Sequence, residues 1–255
     1  MAAIETSALT KRYGTTTAVD QLQLSVPDGT VYGFLGPNGA GKTTTMQMLT
    51  GLTTPTSGSA TVAGVPVTGR DALRQHIGYL PEEPPLYEQA TGYEQLEYIA
   101  GLRDLPEQQT HDRIDELLTR LDLSPDDAAT RIADYSKGMR QKVAYIQAVL
   151  HNPDVAFLDE PTSGLDPRAA RTIRELIAEL TDQGTTVFLS THILPVVEAV
   201  ADTVGILYKG QLVAEDSPGQ LTQRAETGET RTLEEAFLEV TSADPVQDDA
   251  EVSNG

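Results

Sequence analysis

The apolar positions along this chain fall into three regimes. Near the N-terminus they alternate with polar residues or form short apolar blocks, so residues 4–10 and 18–26 are predicted as strands. Tyr13-Gly14-Thr15 and Pro27-Asp28-Gly29 read as the turns between them. Residues 31–35, Val-Tyr-Gly-Phe-Leu, are a short apolar run that enters a glycine-rich turn. Beyond it, residues 42–52 carry Met46, Leu49 and Leu52 at helical spacing, ending near Gly51, and residues 58–67 are strand-rich again.

From about Tyr87 the period changes. Residues 93–102, 111–121 and 137–150 hold apolar side chains at three- and four-residue intervals and are predicted as helices. Strand and helix then alternate: 155–158 is a buried-type strand, 168–180 an amphipathic helix and 185–190 a strand. Residues 204–208 and 211–214 look like a closing hairpin. Apolar strands alternating with helices imply an α/β core, expected over 1–86 and 151–215 with an N-terminal β part. A helical insert spans 87–150, a C-terminal helical segment 216–240, and residues 241–255 read as an acidic disordered tail.

Composition narrows the class. With 255 residues, 39% of them hydrophobic, the chain suits one globular unit with at most a small lobe. No stretch approaches the length of a bilayer-spanning helix, and the first residues lack a charged-then-apolar leader pattern, so a cytosolic protein is expected. There is no cysteine, hence no disulfide and no thiolate metal site. Thirty-eight acidic residues against eighteen basic give a formal charge of −20, which repels nucleic acid, so no nucleic-acid partner is expected. Only Lys11, Lys42, Lys137, Lys142 and Lys209 are lysines, a balance that resembles proteins of salt-loving organisms.

The chemistry concentrates in two places. Gly36-Pro37-Asn38-Gly39-Ala40-Gly41-Lys42-Thr43, followed by Thr44, fits G-x-x-x-x-G-K-[ST] between an apolar strand and a helix. Its glycines allow a tight turn whose N–H groups converge on phosphates, with the helix dipole pointing at the same place. Lys42 would meet the β- and γ-phosphates of ATP, and the Thr43 hydroxyl would ligate Mg²⁺. A Gly-rich turn that binds nothing is the bland alternative, and the flanking strand and helix argue against it. Second, residues 155–158 end in Asp159-Glu160. Adjacent acids at the end of a buried strand are costly to desolvate, and make sense with Asp159 in the Mg²⁺ shell and Glu160 polarising the attacking water.

With these two motifs the chain resembles the ATP-binding-cassette (ABC) ATPases over nearly its whole length. Tyr135-Ser136-Lys137-Gly138-Met139 stands where that family carries L-S-G-G-Q, Ser163-Gly164-Leu165-Asp166 where it carries its D-loop, and Ser190-Thr191-His192 where it carries a switch histidine. Tyr13 stands where it carries an adenine-stacking aromatic. The resemblance implies a P-loop NTPase (RecA-like) core with an antiparallel β subdomain and a signature-bearing helical insert. It also implies a homodimer, or a heterodimer with a second cassette, around two ATP molecules. Ser136 and Gly138 would contact the nucleotide of the other subunit, His192 its own γ-phosphate, and Asp166 would bridge the two sites. The partner implied is an integral-membrane permease, with the chain peripheral on the cytoplasmic face, as in single-cassette exporter subunits. A groove for a permease helix is expected near Pro84, Pro85, Leu86, Tyr87, Tyr93 and Tyr98.

Three places depart from the pattern. Lys137 replaces a glycine and Met139 a glutamine, and Lys137 either meets the partner's phosphate or lies in solvent. The loop that usually carries a Gln reads Gly78-Tyr79-Leu80-Pro81-Glu82, making Glu82 a candidate metal ligand, with Glu83 the other possibility. Gly164 stands where alanine is common and reads as neutral. A soluble ABC ATPase, for example of Fe–S assembly, is the alternative function.

Overall fold

The computed structural model describes residues 2–223 and 232–242. Ala2–Tyr13 (β1) and Thr16–Pro27 (β2) form an antiparallel hairpin closed at Tyr13↔Thr16. Both strands outrun the alternation that predicts them, because bulges break the period: Ala8 and Gln21 take positive φ where the register shifts. After β3 (Val31–Leu35) and α1 (Lys42–Leu49) come Ser57–Val62 (β4), paired with β1, and Val65–Pro66 (β5). Strands β2-β1-β4-β5 make one antiparallel sheet.

Arg70–His76 (α2) leads into Ile77–Leu80 (β6), followed by Gly92–Leu102 (α3), Glu107–Arg120 (α4), Pro125–Ala128 (α5) and Lys137–Val149 (α6). Then come Val155–Asp159 (β7), Pro167–Asp182 (α7), Thr186–Thr191 (β8), Leu194–Val200 (α8), Thr203–Tyr208 (β9), Gln211–Asp216 (β10), Pro218–Leu221 (α9) and Leu233–Ser242 (α10). The second sheet has the order β10-β9-β3-β8-β7-β6, parallel except for β10. Its central strands β3, β7 and β8 are buried at every position, which is why they read as unbroken apolar runs.

The two faces of that sheet are filled differently. Tyr32, Phe34, Phe157 and Phe188 meet on one, with Tyr32 and Phe188 stacked at 5.3 Å, against α1 and the N-terminal sheet. Ala156, Leu158, Val187 and Leu189 face the other way, into a cluster shared with α3, α4, α6 and α7. Helix α7 presents Ile173, Leu176, Ile177 and Leu180 to it at helical spacing. Leu233 of α10 is buried beside Leu35, Val204 and Ile206, so residues 241 and 242, expected in the tail, end a helix instead. The rest of the predicted tail, 243–255, lies outside the described residues.

Helices α2, α5 and α8 and strand β6 are not anticipated by the pattern. The strand is four residues long and includes Gly78, so it reads as a loop; pairing with β7 makes it a strand. Gly78 is needed there because a Cβ would strike the carbonyl oxygen of Ala148 on α6.

Beside it, the His151 ring donates from Nε2 to the Ile77 carbonyl oxygen at 3.0 Å, leaving Nδ1 unprotonated and buried. Burial, reinforced by the Arg103 charge, pushes the His151 pKa down from 6.5 to about 4, against the Ile77 carbonyl and Asp154. The folded state thus holds His151 neutral while an unfolded chain protonates it. Its contribution to stability is complete above about pH 6.5 and is lost as pH falls towards 4, up to about 3 kcal/mol. Urea unfolding of His151→Gln across that window should show a shallower loss than the parent; parallel curves would contradict this.

Candidate active site

The turn between β3 and α1 is shaped by glycines. Gly41, the residue before α1, has φ 109°, and a Cβ there would strike the Ala18 carbonyl oxygen. At Gly36 a Cβ would lie 2.5 Å from the Leu207 carbonyl oxygen. Helix α1 has no acid in its first turn, so its positive end opens on the turn unopposed. Lys42 Nζ donates to the carbonyl oxygens of Gly36 at 2.6 Å and Pro37 at 3.3 Å. Burial lowers the Lys42 pKa, while the charges of Glu160, Asp159 and Glu82 oppose the shift.

Strand β7 brings the acids to the same place. Asp159, its last residue, is buried and accepts from the Thr43 hydroxyl at 3.2 Å. Burial raises the Asp159 pKa; Glu160 and Glu82 add to the rise and the Thr43 hydroxyl opposes it. This carboxylate sits where a cation is favoured.

Glu160 follows in a left-handed backbone conformation, φ 49°, uncommon for a residue with a side chain. The bend is fixed from both sides: Glu160 N–H donates to the Ser190 carbonyl at 2.8 Å, and Gln141 Nε2 donates to the Glu160 carbonyl at 3.3 Å. The buried carboxylate then reaches the end of β8. Its Oε2 accepts from the Thr191 hydroxyl at 2.8 Å, and Oε1 accepts from His192 N–H at 2.9 Å and from His192 Nδ1 at 2.7 Å. That last contact requires the proton on Nδ1.

A cleft of about 400 Å³ collects most of the expected residues. Pro37, Asn38, Gly39, Gly41, Lys42, Thr43 and Thr44 line one side. Glu82, Asp159, Glu160 and His192 line the other. Gly36 touches the site through its carbonyl, and Ala40 is buried behind the turn. Among residues the pattern does not single out, Thr191 and Gln141 hold Glu160, and Ala18 lines the cleft. Thr191 lies inside a quoted motif and Gln141 two residues past another, whereas nothing in the sequence marks Ala18.

Four expected residues lie elsewhere. Tyr13 is half exposed at the β1–β2 turn with the Lys11 ammonium 5.0 Å from its ring centroid. Ser136 caps α6, accepting from Met139 N–H at 3.2 Å, with Gly138 in the same turn. Asp166 caps α7, accepting from the N–H groups of Arg168 and Ala169 at 2.9 and 3.0 Å, and these bonds lower its pKa. Lys137 is exposed, in keeping with one of its two readings, and only the reading of Gly164 needs correction. Lys137 turns to its own chain, Nζ lying 3.4 Å from Ser163 Oγ. Gly164 is not neutral: at φ 75° a Cβ would lie 2.7 Å from Lys137 Cδ.

Residues 19–163 match the ABC transporter family. An uncharacterized ABC transporter ATP-binding protein of Nostoc sp. is 44% identical over 199 residues, 78% of this chain and 59% of its own length. The daunorubicin/doxorubicin resistance ATP-binding protein of Streptomyces peucetius is 41% identical over 221 residues, 86% of this chain and 66% of its own. The chain thus spans about three-fifths to two-thirds of the length of these relatives. A solved ATP-binding subunit of an ABC transporter superposes with a TM-score of 0.87 at 31% identity, covering 94% of this chain and 99% of that one. With the Gly36–Thr44 turn, Asp159, Glu160 and His192 gathered in one cleft, and with these likenesses along its length, the chain belongs to the ABC transporter family.

Proposed function

We propose that this chain binds Mg²⁺-ATP in the cleft between the Gly36–Thr44 turn and the end of β7 and hydrolyses it with Glu160 as general base. It works as one of two cassettes, homodimeric or paired with a second kind, to power substrate movement by a separate membrane permease. The observation that carries the reading is the convergence of Lys42, Thr43, Asp159, Glu160 and His192 on that cleft. Two strands and a helix end, distant in sequence, meet there with the charges a polyphosphate needs.

Each residue has a role its position supports. The turn's N–H groups and Lys42 hold the phosphates; Lys42 exchanges the Gly36 and Pro37 carbonyls for phosphate oxygens. Thr43, Asp159 and Glu82 are hard oxygen donors that suit Mg²⁺, which neutralises developing charge on the phosphates when bound. Water attacks the γ-phosphorus while its proton passes to Glu160, and the bond to the β-phosphate breaks to give ADP and phosphate. Three hydrogen bonds hold the Glu160 carboxylate, so it gives up one to receive the water. His192 is the partner free to turn, since its side chain is largely exposed, and a released ring would meet the γ-phosphate. Tyr13 would stack on adenine. Ser136 and Gly138, outside the cleft of their own chain, would meet the phosphate held by the second cassette, with Asp166 between the sites.

None of the six residues expected at the permease contact lines a neighbouring groove of about 580 Å³, where Leu52, Tyr79, Ile99, Leu102 and Leu105 stand among Arg74, Arg103, Asp104 and His151. The contact fits this groove better. Leu52 and Leu102 are each 61% exposed, and Tyr98, one turn before Leu102, pairs edge-on with exposed Tyr87. An apolar surface of this kind is costly in water unless a partner covers it. Tyr93, by contrast, stacks on His111 and bonds Asp115. No described helix is long and apolar enough to cross a membrane, so the chain would bind at the cytoplasmic face through this groove. Leu102→Asp should cut co-purification with a polytopic membrane protein by about tenfold or more while basal ATP hydrolysis stays within about twofold. Retention of the membrane partner by the variant, or co-purification of the parent with ribosomes or a soluble scaffold instead, would contradict the reading.

A further inference from the structure

The first turn of α6 touches the turn after β7 at two levels, and only one belongs to the chemistry already described. Gln141 donates to the carbonyl of Glu160. Four residues earlier, on the same helix face, Lys137 lays its stem across Gly164 and carries its ammonium to within 3.4 Å of Ser163 Oγ. The turn between is short and tied to the base: Ser163 N–H donates to the Glu160 carbonyl at 3.0 Å and Leu165 N–H to the Thr162 carbonyl at 3.3 Å. Gly138, beside Lys137, packs against the same turn, a Cβ there lying 3.6 Å from both the Gly164 oxygen and Leu165 Cδ2.

We infer that Lys137 is a positioning residue that fixes the turn after Glu160 and so sets the placement of the base, and that Gly164 lacks a side chain to seat the Lys137 stem. The inference rests on Glu160 acting as the base. The physical logic is a lever of few residues. Glu160 sits in a strained conformation, so its backbone has little intrinsic preference for the geometry it holds. Its side chain gives up the His192 ring to receive the water, so the side-chain hydrogen bonds hold it less firmly during the reaction. The backbone adds to that hold, gripped by Ser190 and Gln141 at residue 160 and by Lys137 at residues 163–164. The ammonium adds to the packing of the stem an exposed contact with the Ser163 hydroxyl at 3.4 Å, longer than a close charge-assisted bond.

Lys137→Met keeps the stem and removes the charge, Lys137→Arg keeps both, and Gly164→Ala pushes the stem away. Displacing a lysine stem is easy, so Gly164→Ala should fold, with the strain of φ 75° as its stability cost. We expect kcat for ATP hydrolysis to fall about tenfold in Lys137→Met with KM within about twofold, and Lys137→Arg to stay within about threefold of the parent. Gly164→Ala should lower kcat similarly in the parent but add little in a Lys137→Gly background, where there is no stem to displace. The strain at residue 164 is common to both backgrounds and cancels in that comparison. Parent-like kcat in Lys137→Met, or a Gly164→Ala loss of equal size in both backgrounds, would overturn the inference. Parent-like hydrolysis by Glu160→Gln would instead show that the base is wrongly assigned and would remove the premise. The two failures are therefore told apart by separate variants.

Discussion

Replacing Glu160 by Gln is expected to slow ATP hydrolysis by about 10²–10⁴-fold while leaving ATP binding intact. The structure explains why this substitution isolates the chemistry. A glutamine oxygen still accepts from His192 N–H and Nδ1, and its NH₂ faces the Thr191 hydroxyl, which also accepts. The backbone ties through Ser190 and Gln141 are untouched. Shape and folding should survive, and the loss is the ability to take a proton from water. Single-turnover hydrolysis beside a nucleotide-binding titration measures both halves; parent-like hydrolysis would exclude Glu160 as the base.

Lys42→Ala should have the complementary effect, weakening ATP binding by about 10²-fold and hydrolysis at least as much. The charge it supplies is opposed locally by Asp159, Glu160 and Glu82, whose fields all act on the ammonium. Without it those carboxylates repel the nucleotide's phosphates as well as failing to be screened. A pH signature accompanies this. Burial lowers the pKa of Lys42, so in the free protein the charge is lost at lower pH than for an ordinary lysine of 10.5. The alkaline decline of kcat/KM should therefore begin below that value, since kcat/KM reports groups of the free enzyme. Unchanged ATP affinity in Lys42→Ala would contradict the assignment of the turn.

Much of the site is legible because its chemistry is local in sequence. The Gly36–Thr44 turn follows a fully buried strand, and Asp159-Glu160 ends another, so both the residues and their setting can be read directly. The fold is legible for the same reason wherever a strand is buried on both faces or a helix carries one apolar stripe, as α7 does. What cannot be read is set by tertiary contact. Strand β6 exists through pairing with β7, and Gly78 through the close approach of α6, neither of which leaves a periodic signal. Asp166 fits a D-loop pattern, but its described bonds are those of a helix cap. Gly164 looks interchangeable with alanine until the Lys137 stem is seen to lie across it. The tip of the first hairpin is legible, but the direction of the exposed Tyr13 ring, beside the Lys11 ammonium, is not.

The central claim is that the cleft is half of a composite site, completed by Ser136 and Gly138 of a second cassette. The most direct measurement is the solution mass of Glu160→Gln with and without Mg²⁺-ATP, by light scattering. The account predicts a shift from the mass of one chain to that of two on adding Mg²⁺-ATP, abolished by Lys42→Ala. A protein that binds ATP with parental affinity yet keeps a single-chain mass, both alone and with its cognate cassette present, would contradict it.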